Sequence, residues 1–126
     1  LAPSPAEANE SLSLAPVLTT ALASLEDSKA EDITSIDIQG KSALADHMVI
    51  ASGRSQRHVS AMSDHLLRAL KDAGYGNVRV EGLPAADWVL VDAGDIIVHI
   101  FRPEVREFYN LEKMWSQPDL AEETVH

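Results

Sequence analysis

A chain of 126 residues with 45% hydrophobic content is long enough for one buried core and too short for two. Its net charge of -10 argues against the broad basic surface that binding to phosphate backbones needs, so little direct RNA contact is expected. With no cysteine it carries no disulfide framework, thiolate zinc site or cysteine nucleophile. It also lacks an apolar run long enough for a bilayer or the basic-then-apolar order of a secretory signal, so a soluble, membrane-free protein is expected, and the absence of cysteine is compatible with a reducing cytosol.

Residues 1–13, rich in Ala, Pro, Ser and Glu, read as a flexible N-terminal arm. From Pro16 to about Lys29 the spacing of Leu18, Leu22 and Leu25, continuing that of Leu14, predicts an amphipathic helix with Pro16 in its first turn. Ile33, Thr34, Ile36 and Ile38 predict a strand, Gln39 to Ser42 a turn, and His47 to Ala51 a second strand. Ser55 is placed to cap a helix with Val59, Met62, Leu66, Leu70 and Ala73 on one face, and Gly74 to end it.

Val78 and Val80 mark a short third strand. Asp87 to Asp92 and Asp95 to Phe101 form two more around Ala93-Gly94, a hairpin signal. The last strand is almost wholly apolar, as suits a central position buried on both faces. Pro103 opens a final helix carrying Val105, Phe108, Leu111 and Trp115 at three- to four-residue spacing, and residues 116–126 form an acidic tail. The order of elements implies a single α/β domain, residues 14–115, with a mixed five-stranded sheet flanked by helices.

Several residues invite a chemical reading. Ser52-Gly53-Arg54-Ser55 precedes a helix, where backbone amides and Arg54 could hold a phosphate, but the segment lacks the second glycine, lysine and hydroxyl of a phosphate loop and is better read as a capped turn. Asp92 and Asp95 flank the hairpin turn and could share a metal or proton, although aspartate is equally at home capping a turn. Asp64 falls in a helix and no Asp-x-Asp strand follows. His58 and His65 stand two helical turns apart, too far for one metal without further ligands, while His47 and His99 lie in predicted strands. The aromatic residues point elsewhere. Phe108 and Trp115 lie on the apolar helical stripe and suit the core, whereas Trp88 at a strand entrance and Tyr109 beside the stripe have the better claim to a partner.

In its segments DIQGKSALADHMVIASGRSQRHVSAMSDHL, the Glu81-Gly82 pair, DWVLVDAGDIIVHIF and REFYNLEKMW, the chain resembles the ribosomal silencing factors, or Iojap family, over roughly Leu14 to Trp115. The resemblance implies a noncatalytic, cofactor-free factor with a nucleotidyltransferase-like core. It implies docking on large-subunit ribosomal protein fourteen, a block to subunit joining that lowers translation under nutrient limitation, and a capacity to form homodimers. Carried over to this chain, the docking surface draws on the hairpin and final helix, with Trp88, Asp92, His99, Phe101, Tyr109, Leu111 and Glu112 as candidates. The alternative is a nucleotide-dependent transferase using Ser52 to Ser55 with Asp92 or Asp95.

Overall fold

The computed structural model describes residues 5–110 and Lys113, and of residues 5–15 and Phe108 the backbone alone. Helix α1 spans Pro5–Asp27 and strand β1 Glu31–Asp37, followed by β2 at His47–Ser52 and α2 at Gln56–Asp72. Three strands follow, β3 at Arg79–Glu81, β4 at Trp88–Asp92 and β5 at Ile96–Phe101, before α3 at Pro103–Tyr109. The sheet is mixed and five-stranded in the order β1-β2-β5-β4-β3; β2 and β5 run parallel and the other neighbours antiparallel. Helix α2 therefore carries the chain from β2 across two strands to the far edge. All six residues of β5 are buried, as its apolar run predicts.

One face of the sheet packs against α1 and α2 around Leu25, Val59, Leu66, Val89 and Val98. The α2 face is the predicted one except for Ala73, which caps the helix and is exposed. Ser55 caps the other end, its hydroxyl accepting the His58 N–H at 3.1 Å. Gly74, at φ +98°, closes the helix: its N–H bonds Lys71 O and the Tyr75 N–H bonds Leu70 O, the paired pattern of a Schellman motif. Helix α1 ends the same way with Lys29, at φ 65°, in the left-handed position.

Two features of α1 differ from the expectation. It begins at Pro5, so helix runs through most of the segment read as an arm, and Pro16 lies in its interior at the expense of one backbone bond. Ala, Glu and Leu are strong helix formers even where too little apolar surface is present to signal a core. Its buried stripe is Val17, Ala21 and Leu25 with Ser24, while Leu18 and Leu22 are only half-buried. The small residues let α1 approach α2, where Ser24 Oγ and His65 Nδ1 lie 2.7 Å apart.

The opposite face carries Met48, Ile50, Ile97 and Phe101, covered by Ile38 and Ala45 from the β1–β2 connection and by Val105 of α3. Helix α3 ends at Tyr109, where its cap Asn110 adopts the left-handed conformation (φ 51°, ψ 48°) that asparagine tolerates better than most residues; of the stretch predicted to carry the helix on to Trp115, Lys113 is again helical. Leu111, Glu112, Trp115 and the 116–126 tail lie outside the described residues.

Candidate docking groove

Strand alternation decides which side chains can meet. Trp88 and Leu90 of β4 share a face with Ile97, His99 and Phe101 of β5, and the antiparallel register sets Trp88 opposite Phe101 and Leu90 opposite His99. The Trp88 ring centroid lies 5.1 Å from that of Phe101, 5.8 Å from His99 and 4.6 Å from Tyr109 of α3. The two strands and the last helix thus supply one aromatic cluster. Its layers differ: Phe101 is 0% and His99 5% exposed, Trp88 is half-buried, and Tyr109 is 49% exposed. Phe101 and His99 form the floor, leaving Trp88 and Tyr109 to face outward.

The Trp88 indole N–H donates to His99 Nδ1 at 2.9 Å. That nitrogen must carry a lone pair, so the imidazole is neutral with its proton on Nε2. Burial favours the same state, lowering the His99 pKa to about 4.

Helix α3 is held over this face from both ends. Arg102 Nε donates to Asp87 Oδ1 at 2.9 Å, and Gln56 Nε2 from α2 reaches the same oxygen at 2.9 Å. The Gln56 bond first, then the Arg102 bond and charge, hold the Asp87 carboxyl below the usual carboxylate range against the opposing effect of desolvation. Farther along, Arg106 donates to Asp32 O at 2.7 Å, Ser52 Oγ at 2.8 Å and Thr34 Oγ1 at 3.2 Å. Asp32 sits at φ 51° in a β1 register shift that presents its carbonyl to the guanidinium.

Between β4 and α3 lies a groove of about 560 Å³ with Ala85, Trp88, Val105 and Tyr109 as its apolar wall and Asp87 and Glu104 as its acidic residues. Gly82 also lines it, at φ +87°, where a Cβ would run into the Trp88 carbonyl oxygen. The Glu81-Gly82 and Asp87-Trp88 pairs therefore belong together: the glycine lets the chain pass close beside the tryptophan. Ala85 and Glu104 were not singled out by sequence, and Val105 was read only as part of the apolar stripe of the final helix, because nothing in their spacing shows that α3 folds back over β4.

The other sequence candidates lie apart. Asp92 is at the far end of β4, where Oδ1 accepts the Gly94 N–H at 2.9 Å and shapes the turn, while the Asp95 carbonyl receives the Asp46 and His47 amides. In the Ser52 to Ser55 segment the Gly53 amide bonds Phe101 O and the Arg54 amide bonds His58 Nδ1 at 2.9 Å, so two donors that a phosphate would need are engaged. His58 Nε2 lies 2.8 Å from Ser28 O, bolting α2 to the end of α1. His47, at the end of β2 remote from Trp88, has a buried Nδ1 without a hydrogen-bond partner.

Residues 10–125 match the family model for the ribosomal silencing factor during starvation. The chain belongs to the ribosomal silencing factor family. A ribosomal silencing factor from Zymomonas mobilis is 58% identical over 103 residues, covering 81% of this chain and 77% of the relative. The mouse protein named mitochondrial assembly of ribosomal large subunit protein 1 is 39% identical over 95 residues, covering 73% of this chain and 42% of the relative. A crystal structure from Chromobacterium violaceum superposes with a TM-score of 0.79 at 36% identity, covering 82% of this chain and 86% of the other. For a ribosomal silencing factor, a regulatory rather than catalytic role is what the family's description denotes. No helix among the described residues is long and apolar enough to cross a membrane.

Proposed function

We propose that the protein is a noncatalytic repressor of translation that acts in the cytoplasm, docking through the β4–α3 groove on large-subunit ribosomal protein fourteen. Bound there, it blocks joining of the small subunit by occupying space, and so lowers translation when nutrients are limiting. The observation that carries the reading is the outward-facing Trp88–Tyr109 pair, with ring centroids 4.6 Å apart, in a groove that also holds Asp87 and Glu104. Aromatic anchors with an acidic rim offer a basic ribosomal protein both apolar contact and complementary charge. In this reading the mixed sheet is a nucleotidyltransferase-like core used as a rigid support. Leu111 and Glu112, which follow α3 in sequence, extend the contact, whereas Asp92, at the far end of β4, stands apart from it.

The same surface suits a second copy of the chain, so self-association competes with ribosome docking. Purified large subunits supply the test. The protein should co-sediment with them and prevent added small subunits from joining. Co-sedimentation with small subunits instead, or unimpeded joining at saturation, would overturn the proposal.

A further inference from the structure

The floor of the groove contains a choice that packing alone does not explain. His99 occupies a central position of β5 with 5% exposure, where its neighbours Val98 and Ile100 are aliphatic. A buried imidazole is favourable only if its polar atoms are satisfied, and Nδ1 is satisfied by the indole N–H of Trp88 at 2.9 Å. Trp88 in turn is only half-buried, at a strand entrance, where an indole without such a bond would be free to sample other rotamers.

We propose that His99 is the positioning residue of the docking face: its Nδ1 lone pair holds the Trp88 indole in one orientation, against Tyr109 and along the groove. The inference rests on the docking role assigned above to Trp88. Because the indole N–H is spent inward on a buried partner, Trp88 offers the groove its ring face and edge carbons, not a hydrogen-bond donor. The partner group that rests on it is therefore recognised by apolar or ring-face contact. Stacking supports the same geometry from below, with the His99 and Phe101 centroids 5.8 Å apart at an interplanar angle of 16°.

Two substitutions separate positioning from bulk. His99→Leu keeps an apolar side chain of similar size and removes the acceptor; His99→Asn is smaller but keeps an oxygen where Nδ1 stood. Solvent exchange of the Trp88 indole proton, followed by nitrogen-edited NMR, should quicken about tenfold or more in His99→Leu and stay near wild type in His99→Asn, as expected for loss of one buried hydrogen bond. The dissociation constant for purified large subunits should rise about tenfold in His99→Leu, with substantial recovery in His99→Asn.

Unchanged exchange and affinity in His99→Leu would overturn the proposal, as would equal impairment in both variants. Should either variant fail to fold, the nitrogen shifts of labelled histidine in the wild-type chain decide: an unprotonated Nδ1 at neutral pH is expected, and a protonated one refutes it. Failure of the wild-type protein to bind large subunits would overturn the docking reading, while the indole and imidazole signals still decide whether His99 holds Trp88.

Discussion

Arg102 Nε donates to Asp87 Oδ1 at 2.9 Å while the Arg102 amide bonds the Asp87 carbonyl at 3.2 Å, so the entrance of β4 and the entrance of α3 are fastened to each other twice. Trp88 follows one of these residues and Val105 the other at short distance in sequence. The pair therefore sets the width of the groove between them.

Asp87→Ala should loosen α3 before it unfolds the domain. Hydrogen exchange at the Arg106 amide, which bonds Arg102 O, should become faster, and large-subunit affinity should fall. The Asp87 carboxyl is held below its ordinary value, so its contribution to stability is present above pH 3.8 and is lost as pH falls through the lower native value. Wild-type exchange rates in the variant would show that the ion pair does not hold the helix.

His99 produces a dependence of the same sign, in a higher pH window. In the unfolded chain its imidazole takes up a proton near pH 6.5, whereas the native group resists protonation down to about 4. Stability is therefore unaffected by this group above the unfolded value and declines as pH falls from 6.5 toward 4. Between pH 7.5 and 4.5 the wild type should lose about 2–3 kcal/mol more than His99→Leu in urea denaturation. Parallel pH profiles would contradict a buried neutral imidazole.

Gly82→Ala should damage both fold and groove. The residue has φ +87°, and the added methyl would strike the Trp88 carbonyl oxygen, which is backbone and cannot rotate away. A loss of about 2–3 kcal/mol is expected, measured by chemical denaturation, with Trp88 displaced from its place beside Tyr109. A loss no larger than that of an ordinary surface substitution would remove the argument for close passage at this point.

Lys29→Gly should stabilise. Lys29 holds φ 65° as the left-handed residue that closes α1, a conformation glycine enters without a Cβ clash. A gain of about 0.5–1 kcal/mol is expected after the greater freedom of glycine in the unfolded chain is counted, and thermal unfolding would report it. A lower melting temperature would count against this closing motif.

Much of the scaffold was legible because its signals are local. Ser55 capping, Gly74 closing α2, the Ala93-Gly94 turn and the apolar run of β5 each depend on a few neighbouring residues and basic backbone preference. The aromatic cluster was legible in part: alternation places His99 and Phe101 on one face, but only the β4–β5 register sets Trp88 above them. That is why Phe101 and His99 stood among the contact candidates behind Trp88 and Tyr109, although both are buried. Arg106 illustrates the remainder. Its bonds to Asp32, Thr34 and Ser52 join segments far apart in sequence through a register shift that no short motif announces.

Trp88 bears the most direct test of the docking account. Removing an interfacial tryptophan side chain at a binding hot spot costs on the order of 2 kcal/mol, so Trp88→Ala should raise the dissociation constant for purified large subunits roughly thirtyfold. Circular dichroism should remain native, because the ring lies on the outer side of a core built on β5. A natively folded Trp88→Ala protein that co-sediments with large subunits as tightly as the wild type would contradict the assignment of this groove.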